Sequence, residues 1–445
     1  MIEFLFETRQ GREERRDSIM EDKNFETKII KAQVPKICIC PECRNEQPFK
    51  RDKEHWKRVK DLSLDKPMIL LVQQISAKCL NPACKRRSFI LPTPGIERYQ
   101  RSTIRVKEEA INKSVLDNVP YLKVSKSLIR SFNITGSKST IDRWKQREAN
   151  KYSFKEIIAK LDFSGVLSVD EYKPSRAKSY DLIAADSRKC HLLYLENISD
   201  SPKHAGCMGR GHIENFFRHL KELGIEPFAV IFDLMKAFPK QVKKVWPEVL
   251  IQYDHFHVMQ LIHSHLKQEL FGFHRKLKEA GLEDERVEIW QHKWSILKNM
   301  DNWTPKEHQL LPQLIQVYSG TVVEQVLIFK EYLYQIFDLS TTPDQAYAKR
   351  DALFAEKWWR NSWHLNQIMK FLMSPDFGYT VTYLGNKFIP RSGNLETLIR
   401  SWRMMEKVRY GFKSEKGRQN HLKLYQIKYY LNELSAENSG QLHFP

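Results

Sequence analysis

Asp170 and Asp233 each end a short run of apolar and β-branched residues, Gly-Val-Leu-Ser-Val-Asp and Phe-Ala-Val-Ile-Phe-Asp. Such runs read as buried strands. An aspartate at the carboxyl end of a buried strand stands where an α/β sheet opens its ligand crevice. Two of them supply hard oxygen ligands for Mg²⁺ or Mn²⁺. A pair of such ions roughly 3.5–4 Å apart clamps the attacking and leaving oxygens of a phosphoryl transfer. A third carboxylate stands in Arg391-Ser-Gly-Asn-Leu-Glu396. On a helix, Glu396 shares a face with Arg400, Arg403 and Lys407, at offsets of four, three and four. That face reads as a metal ligand trailed by phosphate-binding cations, or as a salt-bridged solvated surface. Asp254 competes for the third role. The His-x-His of His255 and His257 reads as packing or phosphate contact before it reads as a second metal site.

These side chains need a sheet to hold them. Between the two aspartates lie candidate strands Ser179–Ala185 and Cys190–Leu195, joined by a turn at Asp186–Lys189. An amphipathic helix carrying Ile213, Phe216, Phe217 and Leu220 follows. The order is strand, strand, strand, helix, strand. A basic helix over Phe238–Trp246 and a fifth strand, Val249–Tyr253, come next. From 260 to 385 the strand signal is lost, and helical spacing is broken at Thr304-Pro305, Thr342-Pro343 and Ser374-Pro375. That length is too great for a loop and reads as an all-helical unit interrupting the α/β domain. Trp290, Trp294, Trp303, Trp358, Trp359 and Trp363 are expected mostly in its core, with one or two free to stack on bases. Ser392 is expected to cap the Glu396 helix, whose buried stripe is Leu395, Leu398, Ile399, Trp402 and Met405.

Five of the seven cysteines fall at Cys38, Cys40, Cys43, Cys79 and Cys84. Cys40-Pro-Glu-Cys43 and Cys79-Leu-Asn-Pro-Ala-Cys84 are two knuckles able to give four thiolates to one structural, tetrahedral Zn²⁺. Met68–Val72 reads as a strand between them, and Cys38 is a surplus thiol that could replace Cys40. Residues 105–147 read as helices. Val124, Leu128, Ile129 and Phe132 form one apolar face, Asn133–Gly136 a turn, and Ser137 caps a new helix. This is the outline of a helix-turn-helix. Lys138, Ser139, Asp142 and Arg143 would face DNA, and Ile141 and Trp144 would face inward.

Composition agrees. Lys plus Arg number 73 against 54 Asp plus Glu, a net charge of +19. The excess is spread along the chain and implies a polyanionic partner, nucleic acid before membrane. A signal peptide and an apolar run of membrane-spanning length are both missing, so a cytoplasmic chain without a disulfide framework is expected.

Together these residues resemble the DDE transposases of bacterial insertion sequences, specifically the ISL-three family. The resemblance rests on CPEC and CLNPAC followed by Arg86-Arg87-Ser88-Phe89, and on the helix-turn-helix near Ser139–Trp144. It rests equally on Ser168-Val-Asp170-Glu, Val230-Ile-Phe-Asp233, Asp254-His-Phe-His-Val and the terminal SGNLE…YGF. The motifs cover nearly the whole chain in the family's order. The resemblance implies a mixed-sheet, ribonuclease-H-like catalytic domain in which Asp170, Asp233 and Glu396 hold two Mg²⁺ ions, with a helical insertion before the glutamate. The implied substrate is double-stranded DNA, the ends of an insertion sequence and a target, cut and rejoined by a homodimer with no small-molecule substrate. Rival readings are a non-catalytic DNA-binding regulator, a nuclease that only hydrolyses, and a structural nucleoid protein. The expected organisation is a poorly ordered start (1–30), a zinc ribbon (31–100) and a helix-turn-helix (101–150). The first part of the catalytic core (160–258), a helical insertion (259–388) and the last part of the core (389–435) follow.

Overall fold

The computed structural model describes residues 26–63, 67–96, 100–173, 180–197, 210–409 and 411–431. The expected start at 1–30 lies almost wholly outside the described residues, as do Ser179 and Tyr410. The chain is mixed α/β, with mixed sheets and many helices. It packs as two compact units, residues 1–153 with 405–445, and residues 154–404.

The first unit opens with β1 (Glu26–Ile30), β2 (Ile37–Ile39), β3 (Glu46–Pro48), β4 (Arg51–Asp61), β5 (Met68–Lys78) and β6 (Ser88–Ile90). β5 pairs in parallel with β1 and antiparallel with β4 and β6, while β2 and β3 make a separate hairpin. The expected strand Met68–Val72 is the first half of β5. It runs eleven residues because apolar side chains continue through Ile75 and Ala77, both buried. The first cysteine knuckle forms the β2–β3 turn, where Arg44 takes a left-handed φ of 59°, and the second lies between β5 and β6.

Three helices follow: α1 (Ile104–Val115), α2 (Tyr121–Phe132) and α3 (Lys138–Ala149). Thr103 caps α1 by accepting from the Val106 amide, and Ser137 caps α3 by accepting from that of Thr140. Asn133 ends α2 in the left-handed conformation, φ 50°. Val106, Ala110, Val115, Val124, Leu128, Ile134, Ile141 and Trp144 share one core, to which Leu424 of the C-terminal helix Glu415–Tyr425 is added. Ile129, expected on the apolar face, is exposed. Val124 and Leu128 stack one turn apart, so the next residue falls a further 100° round, on the solvent side.

The second unit begins with α4 (Phe154–Lys160), β7 (Val166–Tyr172), β8 (Asp181–Asp186), β9 (His191–Asn197), α5 (Arg210–Glu222), β10 (Ala229–Phe232), α6 (Phe238–Val245) and β11 (Leu250–Tyr253). The sheet order is β11-β10-β7-β8-β9. β7, β8 and β9 form an antiparallel meander, and β10 and β11 add in parallel beside β7. The strand, strand, strand, helix, strand order stands as expected. Cys190 is a left-handed turn residue and not the start of β9.

The stretch without strand pattern is helical: α7 (His255–Glu279), α8 (Glu283–Leu297), α9 (Pro305–Val317), α10 (Val322–Ile336), α11 (Pro343–Glu356), α12 (Trp363–Leu372) and α13 (Thr382–Gly385). Two of the three X-Pro breaks are capping boxes, Thr304 with Glu307 and Thr342 with Gln345. Only Trp303 and Trp359 of the six tryptophans are buried; Trp290, Trp294 and Trp363 are exposed. The helices are bound back to β11. The Gln252 side chain accepts from the Tyr383 amide (2.9 Å), and the Thr382 hydroxyl donates to the Ile251 carbonyl (2.5 Å). No described helix is long and apolar enough to cross a membrane.

Candidate functional site

Strand register sets three carboxylates in a row. Val169 of β7 lies opposite Phe232 of β10, which lies opposite Tyr253 of β11. The next residue on each chain is Asp170, Asp233 and Asp254 respectively. The strands are parallel, so these three stand at one level along the carboxyl edge, with Asp233 in the middle. Asp170 does not end its strand as expected. β7 continues through Glu171 to Tyr172 because antiparallel β8 still pairs with it there, Asp170 facing Ile183.

Glu396 arrives from α14 (Leu395–Arg409), carried by the loop before it. The Gly393 amide donates to Asp254 Oδ2 (3.1 Å), the Phe256 amide donates to Ser392 Oγ (3.2 Å), and the His255 amide donates to the Arg391 carbonyl (3.2 Å). The Arg391 guanidinium donates to His255 Nε2. Gly393 lies against Ser168 and Ile231, which face each other across β7 and β10. A Cβ there would collide with the Ser168 hydroxyl and stand 3.3 Å from Ile231 Cγ2. Residues Ser168, Asp170, Ile231, Asp233, Asp254, His257, Gly393 and Glu396 thus line one cavity of about 280 Å³. Ser392 serves the Phe256 amide; it does not cap α14 as expected.

The cavity is short of cations. Burial and the Asp233 charge push the Asp170 carboxyl up to about 6, with Glu396 adding to the rise. Burial, then Asp233 and Asp170, push neighbouring Glu171 to about 7. Burial also raises Asp233, against a hydrogen bond from the Met235 amide and the favourable charge of His257. Clustered carboxylates resist ionising together unless a cation joins them. Carboxylate oxygens are the donors a hard divalent ion takes, and Asp170, Asp233, Asp254 and Glu396 all line this cavity. Asp254 lines the same cavity and also caps α7 by accepting from the Phe256 amide (2.8 Å) and holds Gly393.

His255 is buried under the loop, and burial, then Arg391 and His263, lower it to about 3. Between pH 6.5 and 3 the unfolded chain therefore binds a proton there that the folded chain does not, so this residue's contribution falls as pH drops through 6.5. The raised Asp170 and Glu171 act in the opposite sense over pH 4–7. The check is the difference in unfolding free energy between wild type and His255→Gln across pH. Wild type should lose about 2–3 kcal/mol relative to the variant between pH 7 and 4.5. A flat difference would show that His255 is protonated in the fold.

On α14 the stripe is placed as expected: Leu395, Ile399, Trp402 and Met405 are buried and Leu398 is half-buried. Arg400 and Lys407 are exposed, and Arg403 lies over the Tyr172 ring at 5.6 Å. On α3, Lys138, Ser139 and Arg143 are exposed and Asp142 is half-buried, while Ile141 and Trp144 face the core.

In the first unit the sulfurs of Cys40, Cys43, Cys79 and Cys84 lie within 4.8 Å of one another. Cys40 and Cys84 are 3.9 Å apart, and Cys43 and Cys79 are 3.7 Å apart. A disulfide needs about 2.05 Å. Four thiolates at about 2.3 Å from a tetrahedral ion lie about 3.8 Å from each other. Cys38 is buried in β2 and is not one of the four.

Sequence reading missed two things. Glu171 alternates away from Asp170 and would be set aside by strand periodicity, yet it feels both aspartates. Gly393 had no signal beyond being a glycine near a carboxylate.

A family model described as transposase, of the DDE type and the ISL-three family, matches residues 167–420. No match is found among curated proteins. Among solved structures, the Drosophila P element transposase strand transfer complex is similar over 78% of this chain and 83% of that chain. The identity is 11% and the TM-score 0.27.

Proposed function

Since the chain belongs to the ISL-three family of DDE transposases, we propose that Asp170, Asp233 and Glu396 are its catalytic carboxylates. We also propose that it cuts and rejoins double-stranded DNA at the inverted repeats ending its own element. The chain is a transposase, and the gathering of these three residues in one cavity carries the assignment. The sheet order, a three-stranded meander with two parallel strands added beside its first strand, supports a ribonuclease-H-like core.

Two divalent ions, Mg²⁺ or Mn²⁺, held by Asp170, Asp233 and Glu396, would supply activation of the attacking water and stabilisation of the leaving 3′ oxygen. The chain's own residues do the rest. Asp254, His255, Arg391 and Ser392 hold the loop that delivers Glu396. Exposed Arg400 and Lys407 offer charge to phosphates, so binding should weaken steeply with salt. The capped α3, with Lys138, Ser139 and Arg143 exposed, supports a helix-turn-helix that reads the ends. The four cysteines would hold one structural Zn²⁺. Joining two ends calls for two copies, so we propose a homodimer on DNA, acting in the cytoplasm.

The test is incubation with supercoiled plasmid carrying the element's ends, with Mg²⁺ and with EDTA. Metal-dependent nicking at the ends, followed by joining of the new 3′-OH to a second duplex, is expected. Nicking without joining would favour a hydrolytic nuclease, and end binding without nicking a regulator. The loop gives a sharper prediction. Gly393→Ala forces the loop off Ser168 and shifts Glu396. A displacement near 1 Å costs about 10²-fold in rate, so cleavage should fall by about that much while end binding persists. Wild-type cleavage by this variant would show that the close approach does not position the glutamate.

A further inference from the structure

The first unit holds a cavity of its own, about 330 Å³ in volume, against roughly 30 Å³ for one water. Tyr121 of α2, with Lys138, Ser139 and Asp142 of α3, meets Arg409, Phe412 and Lys413 of the C-terminal segment there. Gly411 turns the chain back toward α3: its φ is 80°, and its amide donates to the Glu406 carbonyl (2.8 Å). The walls carry more positive charge than negative. Lys145 of α3 is 1% exposed, and its Nζ meets His421 Nδ1 at 2.9 Å. Arg409 donates to the Ser114 hydroxyl (2.7 Å) and carbonyl, and its Nη1 lies 3.4 Å from the same His421 nitrogen. Burial, then Lys145 and Arg409, hold His421 far below the usual histidine range, so it is neutral. Asp142 is the one carboxylate among the described residues lining the cavity, and it accepts from Gln146 Nε2 (2.7 Å). Glu415, close by in sequence, is paired with Arg418. The two rings are walls and not platforms. Lys145 Nζ lies 5.7 and 5.6 Å from the centres of Tyr121 and Phe412, and the Arg409 guanidinium lies 5.6 and 5.9 Å from them. Two cations set inside the protein against one carboxylate are costly until an anion joins them.

We infer that this cavity takes one backbone phosphate of duplex DNA, held by Lys138 and Ser139 from α3 and by Arg409 and Lys413 from the C-terminal segment. The inference rests on the proposed helix-turn-helix. Lys138, Ser139 and Lys413 are exposed, so a phosphate can reach them, while Arg409 stands half-buried behind them. Burial, then Arg409, push Lys145 well below the usual lysine range, against Asp142, and an anion in the cavity would oppose that shift. A phosphate contact carries no sequence information. It fixes the register and orientation in which α3 meets the bases. The reading head is then a composite, with α3 supplying base contacts and the segment after α14 supplying part of the clamp.

The test uses the full chain and an end duplex in which single phosphates are replaced, one position at a time, by neutral methylphosphonate. Lys413→Gln should bind the unmodified duplex roughly 3- to 10-fold more weakly, with a salt dependence lower by about one counterion. Lys138→Gln should behave alike. Both side chains are exposed, so both variants should keep the wild-type melting temperature. At one position the methylphosphonate should cost both variants clearly less than it costs wild type, and elsewhere it should cost all three the same. Asp142→Asn gives the opposite sign. It keeps an acceptor for Gln146 and removes the negative charge, so the unmodified duplex should bind roughly 2- to 5-fold more tightly. Equal costs in wild type and variants at every position would overturn the inference, as would weaker binding by Asp142→Asn. The outcomes separate the two levels. A wild type that binds the end duplex no better than random DNA removes the helix-turn-helix reading. Selective binding with equal costs at every position removes only the phosphate site.

Discussion

Asp170→Asn, Asp233→Asn and Glu396→Gln should each reduce DNA strand cleavage on the order of 10³-fold or more while sparing binding to the ends. Each substitution keeps the shape of the side chain and removes its charge. Asp170 and Asp233 are half of the case: parallel pairing of β7 with β10 sets them at one level. Glu396 completes it through the stapled loop. Removing one carboxylate should also relieve the others. Burial and the Asp233 charge hold Asp170 near 6, so Asp233→Asn should bring Asp170 down. Asp254→Asn is the instructive contrast. Asp254 holds backbone amides, and asparagine keeps an acceptor oxygen, so its loss should be much smaller than that of the three. Cleavage that survives Glu396→Gln and vanishes in Asp254→Asn would exchange their roles.

Zinc analysis of the purified full chain should find about one ion per chain, falling to near zero in Cys43→Ser and unchanged in Cys38→Ala. The four clustered sulfurs lie on two tight connections, the β2–β3 turn and the β5–β6 link. The Gln47 side chain also ties them, donating to the Lys78 carbonyl (2.5 Å) and accepting from the Leu80 amide (2.8 Å), but Cys43, Cys79 and Cys84 are only half-buried. Metal binding at such a site is folding free energy. Chelation or Cys43→Ser should therefore lower the melting temperature of the first unit by roughly 10 °C or more. Strand cleavage in a chain without zinc should suffer through end recognition, so raising DNA concentration should recover it in part. Zinc retained by Cys43→Ser would take that residue out of the site.

Much of the fold was legible in the residues themselves. A strand that is apolar through its length or a helix with one apolar stripe declares itself locally, because burial acts on each element's own period. That is why β7 to β11, the helices around Ser137 and the break-point caps at Thr304 and Thr342 stand where spacing puts them. The two knuckles also declare their chemistry, since four thiols have few uses in such a chain. What the chain could not show is partnership at a distance. Whether Trp294 is core or surface depends on which face of α8 meets α7, and the sequence of α8 alone does not fix that. The third carboxylate was open between Asp254 and Glu396 because local pattern gives both the same standing. Packing brings both to one cavity: Asp254 follows β11 and accepts from the amides of Phe256 and Gly393, and Glu396 arrives on α14. That meeting depends on one glycine passing Ser168 more than two hundred residues away in sequence. Such a contact has no period and exists only once the sheet has formed.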